Sequence, residues 1–176
     1  MIIWIDGAYG VGKSTLAEKL HALLPNSFIF DAENVGNAVR DNMPQSVYYN
    51  ETFEGYPLWF HVCNELLTEL TDRFDGAVLV PMTLMRRESF ARFAEPLRSK
   101  EIEIVHVLLE SSKEVIHDRI LARGESEDCW CMRQIDACLC AQQHYEDVIR
   151  VPSLGQTADE LAKEVVQALG LSTRKE

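Results

Sequence analysis

Four residues at a fixed spacing carry most of the chemistry in this chain: Gly7, Gly12, Lys13 and Ser14, in the run GAYGVGKST. They satisfy G-x-x-x-x-G-K-[ST] without adjustment. The glycines, with Gly10 in addition, let the backbone turn its amides toward phosphate oxygens. Gly7, Ala8, Tyr9, Gly10, Val11 and Gly12 are therefore all candidate nucleotide contacts. Lys13 supplies a cation for the β and γ phosphates, and the Ser14 hydroxyl suits Mg²⁺. Thr15 continues a helix start whose dipole favours anions. A glycine-rich turn can match by accident. Here MIIWID before it reads as a buried strand and LAEKLHALL after it as a helix, the context the motif requires.

Phosphoryl chemistry also needs carboxylates. Many phosphate-loop ATPases hold the magnesium shell with an aspartate at the end of another buried strand. The third apolar run, AVLVPMTLM, carries none, which weakens a motor-type reading, and the fourth offers only Glu110. Asp6 directly precedes the loop and is a candidate magnesium contact through water. Asp31 closes the second run and Glu33 follows it. Asp31, with Glu33 as alternate, is the expected base for a substrate hydroxyl. Both also suit a helix cap before NVGNAVR, and capping and catalysis are compatible roles.

Charge over the leaving oxygens is expected from HDRILARGESED, where Arg119 and Arg123 lie four apart on a helix leading into a lid, and from Arg133 on the next helix. Each also reads as part of a solvated helix face. Arg86 and Arg87, after the third run, either meet an anionic group on the acceptor or simply begin a helix. YYNETFEGYPLWFH gathers Tyr48, Tyr49, Phe53, Tyr56, Trp59 and Phe60. Tyr56 and Trp59 are taken as walls of an acceptor pocket; core anchoring is the competing reading, especially for Trp59 and Phe60. Cys129, Cys131, Cys138 and Cys140 crowd into CWCMRQIDACLC, at a spacing unlike a zinc knuckle, so reduced thiols are expected there.

Short apolar runs alternating with helical patterns position these residues. Strands are read at Ile2–Ile5, before Asp31, at Gly76–Met82, through EIEIVHVLL and at DVIRV. Helices lie between them, one broken near Pro96, and a last helix is capped by Thr157. That alternation predicts an α/β, three-layer P-loop NTPase fold around a five-stranded parallel sheet, kinase-like with a lid. Ligands then sit at the carboxyl ends of the strands. One domain spans 1–176, with a substrate-binding insertion at about 33–74 and a lid at about 119–145.

The net charge of −11 argues against a nucleic-acid or anionic-membrane partner. Neither a signal peptide nor an apolar run of spanning length is read, so a cytoplasmic location is expected. The expected partners are a nucleotide and a small-molecule acceptor. Oligomeric state is not legible.

The chain resembles the tunicamycin-resistance ATP-binding proteins. The resemblance rests on IIWIDGAYGVGKSTLAEKLH, FIFDAENVGNAVR, GYPLWF, VLVPMT and WCMRQIDAC, in order over most of the chain. It implies a fold of the nucleoside-monophosphate-kinase and shikimate-kinase type, ATP with Mg²⁺, and a link to resistance against nucleoside-type antibiotics. Asp31 matches an acidic site of that family, and Pro81, Met82 and Thr83 match its third-strand signature. Asp6, Arg86 and Arg87 depart from its pattern. The activity so implied is phosphoryl transfer to a small molecule, or resistance by binding the drug without modifying it.

Overall fold

A computed structural model describes residues 1–48 and 52–174. Tyr49, named above with the aromatic group, lies outside the described residues. The strands are β1 (Ile2–Asp6), β2 (Ser27–Ile29), β3 (Ala77–Pro81), β4 (Ile104–Glu110) and β5 (Ile149–Pro152). The helices are α1 (Lys13–Leu23), α2 (Ala32–Asp41), α3 (Pro57–Arg73), α4 (Ser89–Ser99), α5 (Lys113–Ala122), α6 (Trp130–Gln142) and α7 (Ala158–Ala168). A 3-10 turn, Phe53–Gly55, precedes α3.

The strands form one parallel sheet in the order β2-β3-β1-β4-β5, with β1 in the middle. Every β1 residue is buried, and the period of two divides them. Ile3 and Ile5 join a core with residues of α1, α5, α6 and α7. Ile2 and Trp4 join a second core with residues of α3 and α4. The sheet is thus covered on both faces, as an all-parallel sheet requires. The fold is α/β, as the alternation predicts. Among the described residues, no helix is long and apolar enough to cross a membrane.

The break expected at Pro96 does not occur: α4 runs through it. Proline removes the N–H that would reach the Arg92 carbonyl four residues back. The Asn64 side-chain amide, from α3, donates to that carbonyl at 3.0 Å instead. A tertiary bond replaces the missing helical one. Thr157 caps α7 as expected, and Glu160 completes a reciprocal capping box.

Candidate active site

The chain leaves β1 at Asp6 and turns sharply. Gly7 and Gly12 have φ of 148° and 113°. A Cβ at Gly7 would lie 2.6 Å from Val11 Cγ1 and 2.9 Å from the Leu109 carbonyl, so contact as well as conformation demands glycine. At Gly12 space is open and the conformation alone excludes a side chain. The turn delivers Lys13 to the start of α1, where its Nζ donates to the carbonyls of Gly7 (3.1 Å) and Ala8 (3.0 Å). Burial pulls the Lys13 amine down to about 8, against the opposing pull of the Asp6 carboxylate.

The segment after β3 holds the loop from behind. Thr83, buried, donates its hydroxyl to the Gly7 carbonyl at 2.9 Å. Asp6 Oδ1 accepts from the amides of Gly7 (2.6 Å) and Leu84 (3.0 Å), and Oδ2 lies 3.1 Å from His106 Nε2. Asp6 is fully buried with both oxygens engaged. It therefore offers no solvent-facing oxygen to a magnesium-bound water, and the metal role expected for it gives way to positioning the loop. Glu54, 2% exposed, extends the bracing. Its oxygens accept from the amides of Met85 (2.7 Å) and Arg86 (3.1 Å) and from the Ser89 hydroxyl. Burial still holds its carboxyl above the usual range, against the lowering effect of those bonds.

Two cavities flank the loop. One, of about 280 Å³, is lined by Lys13, Ser14, Asp31, Glu33 and Arg123, among others. The second, of about 260 Å³, is lined by Gly10, Gly12, Thr15, Arg119, Arg123 and Gln156, among others. Lys13, Ser14, Asp31 and Glu33, far apart in sequence, thus meet at one opening. Asp31 is the N-cap of α2: its Oδ1 accepts from the amides of Glu33 (2.9 Å) and Asn34 (3.1 Å). Partial burial and the neighbouring Asp31 charge raise the Glu33 carboxyl, with Lys13 opposing.

The arginines divide. Arg119 Nη1 donates to the Val11 carbonyl (2.7 Å) and Ser153 Oγ (3.1 Å), and Nη2 to the Ser153 carbonyl (2.9 Å). It is a strut between the loop and the residue after β5, rather than a swinging lid arm. Arg123 lines both cavities, and its charge helps lower the Lys13 amine. Arg133 is exposed, donates to the Asp128 carbonyl, and lines neither cavity.

A third cavity of about 490 Å³ opens beside the first. Tyr9, Glu33 and Cys131 line both. Its remaining wall is Thr52, Phe53, Glu54, Met82 and Trp130. The Tyr9 and Trp130 rings meet edge to face at 4.9 Å, joining the loop to α6. Of the six expected acceptor residues, Glu33 is present and five are not; Asp31 lines the adjoining cavity instead. Trp59 is fully buried, with its indole N–H on the Ala32 carbonyl at 2.9 Å. Tyr56 is largely buried and stacks on Tyr48 at 3.6 Å. Both serve the core, Trp59 from the first turn of α3 and Tyr56 from the residue that caps it. Arg87 is exposed and pairs with Glu146 at 3.1 Å, and Arg86 is exposed and lines no part of this wall.

Glu54 and Trp130 escaped the sequence reading. A buried acid looks like any other acid in a string of letters, although Glu54 stands next to the GYPLW segment. The five cysteines are unpaired; Cys138 is buried and Cys140 exposed. Among the described residues, no three of His, Cys, Asp and Glu converge as metal ligands. The Ser14 hydroxyl, exposed beside Asp31 and Glu33, suits a magnesium ion carried in with a nucleotide.

The family described as an AAA domain matches residues 2–143. No curated protein matches the sequence. The fold is similar to that of the Deinococcus radiodurans tunicamycin resistance protein, at 21% identity over 99% of both chains, with a TM-score of 0.81. It is also similar to a sugar kinase from Janibacter sp. HTCC2649, at 16% identity over 97% of this chain and 94% of that one, with a TM-score of 0.69. Shikimate kinase from Acinetobacter baumannii, in complex with shikimate, aligns at 18% identity over 96% and 92%, with a TM-score of 0.60. At these identities the likeness is one of fold: a P-loop, kinase-like domain.

Proposed function

We propose that this chain, which belongs to the AAA domain family, transfers the γ-phosphoryl group of ATP to a hydroxyl of a small molecule. The acceptor class we favour is the nucleoside-type antibiotic, in keeping with the resemblance to tunicamycin-resistance proteins. The observation that carries the reading is the shared wall of Tyr9, Glu33 and Cys131 between the cavity holding Lys13 and Ser14 and the larger cavity beside it. A donor and an acceptor bound in these two spaces meet at Glu33, with Asp31 adjacent.

In this reading the loop amides and Lys13 hold the phosphates, and Arg123 adds charge from the wall shared by the two cavities that flank the loop. Ser14 would hold Mg²⁺, which supplies charge neutralisation at the phosphates when bound. Asp31 accepts the acceptor's hydroxyl proton through the oxygen its cap leaves over, with Glu33 as alternate. Thr83, Asp6 and Arg119 keep the loop in place while this happens. Phosphoryl transfer asks little covalent chemistry of a protein and much positioning.

A second reading is retained on one observation: β3 (AVLVP) ends without a carboxylate. It is ATP-dependent sequestration of the drug without modification. Incubation with Mg-ATP and a panel of nucleosides, nucleoside antibiotics and other hydroxylated compounds, followed by mass spectrometry, separates the two. A phosphorylated acceptor absent with Lys13→Ala supports the kinase. Retention of an unmodified ligand supports sequestration.

A further inference from the structure

The larger cavity carries a charge pattern opposite to the one its neighbouring arginines suggest. Glu33 and Glu54 are the charged side chains in its described wall; no lysine, arginine or histidine lines it. Arg87 is committed to Glu146, and Arg86 stands outside the wall. The cations nearby, Lys13 and Arg123, line the adjoining cavity, where nucleotide phosphates would engage them. Glu33 and Glu54 come from different segments, α2 and the 3-10 turn, and line the cavity with three aromatic rings, Tyr9, Phe53 and Trp130; Glu33 is exposed, whereas the Glu54 carboxylate lies buried behind the wall. Its volume of about 490 Å³ lies within the usual range for small-molecule sites.

From this we infer that the acceptor is a hydroxylated organic cation: a ring-bearing compound whose protonated amine is held by the exposed Glu33, with the buried Glu54 charge behind the wall, while its ring lies against Tyr9, Phe53 and Trp130. The inference rests on the kinase reading for which hydroxyl reacts, but not for what binds. An anionic acceptor entering this space meets the Glu33 carboxylate, the buried charge of Glu54 and the bound nucleotide's own negative charge, with no cation in the described wall to offset them. An ammonium meets charge-assisted acceptors and the negative faces of aromatic rings. A neutral acceptor gains only the ring contacts.

The test uses the full chain, a non-hydrolysable ATP analogue with Mg²⁺, and three probes that share a phenyl ring and an alcohol: phenylalaninol, N-acetylphenylalaninol and 3-phenyllactate. Titration calorimetry is expected to rank phenylalaninol at least about tenfold tighter than phenyllactate, with the neutral amide between. The preference shrinks as ionic strength rises. Glu33→Gln narrows the ratio most, and Glu54→Gln narrows it less, through its buried charge alone; Glu33→Gln keeps the test alive if loss of the bracing Glu54 charge prevents folding. Equal binding, preference for the acid or the neutral amide, no binding at millimolar concentration, or an unchanged ratio in Glu33→Gln overturns the inference. Phosphate transfer from Mg-ATP to these probes and to the whole acceptor panel is then followed by mass spectrometry. An amine preference without product would sink the kinase reading and leave this one standing; product without charge preference would do the reverse.

Discussion

Thr83 and Gly7 lie 76 positions apart, yet the threonine hydroxyl donates to the glycine carbonyl at 2.9 Å inside the core. The bond ties the strand signature VLVPMT to the phosphate loop, and it explains why a segment without catalytic groups matters to the site. Gly7 keeps a second donor in Lys13 Nζ. Thr83→Val should therefore leave the carbonyl satisfied and cost about 1 kcal/mol of stability. Nucleotide affinity should fall several-fold because the loop is less firmly held. Urea unfolding and ATP titration check the two effects separately.

Asp6 accepts two amides and faces His106 in complete burial. Asp6→Ala strips all three partners at once and should cost about 3 kcal/mol or more. Asp6→Asn retains an oxygen for the amides and should cost about 1 kcal/mol. Equal losses in denaturant melts would show that the amides are not what this side chain holds.

The Lys13 amine, held to about 8 by burial, ties nucleotide binding to protons. Phosphates restore its charge, so ATP binding above pH 8 should take up a proton, and affinity should fall by up to about tenfold per pH unit there. The free protein behaves oppositely. Its folded value lies below the unfolded one, so this group's destabilising effect lessens as pH rises through 8 toward the ordinary lysine value. Calorimetry in buffers of different ionisation heat reads the uptake, which Lys13→Ala should abolish.

Asp31→Asn separates the base role proposed for Asp31 from its capping, because asparagine caps a helix as well as aspartate does. Stability should hold while turnover drops about 10²–10⁴-fold. The same change removes a like charge from beside Glu33, whose carboxyl is raised in its presence. Any residual activity should then show its acid limb at lower pH. Unchanged turnover in a pH-rate profile would transfer the base role away from Asp31.

Asn64 and Pro96 form a removable pair. Asn64→Ala leaves the Arg92 carbonyl without its donor and should cost about 1–2 kcal/mol. Adding Pro96→Ala returns a backbone N–H to that carbonyl and should recover most of the loss. Additive effects in a double-mutant cycle would rule the compensation out.

Much of this protein is legible in its letters where the signal is local. Strand runs, the glycine spacing before Lys13 and the Thr157 cap depend on neighbours a few positions away, so periodicity and backbone conformation declare them. Asp31 declared itself as cap and cavity residue alike, since both follow from standing between β2 and α2. The failures share a cause. Trp59 and Phe53 come from one aromatic stretch, and only the packing of α3 decides that the first is core and the second is wall. Pro96 breaks a helix unless Asn64 stands opposite it. Asp6 and Glu54 look like solvated acids until amides converge on them.

The sequence by itself determined a parallel α/β domain with a phosphate loop, because strand burial, helix periodicity and glycine conformation are short-range constraints. Only the tertiary structure decided which carboxylates brace and which face the cavities, and that Arg119 is a strut. It also decided that the space beside the loop is acidic. Those outcomes turn on hydrogen bonds and charges brought together across the sheet, and no spacing along the chain encodes them.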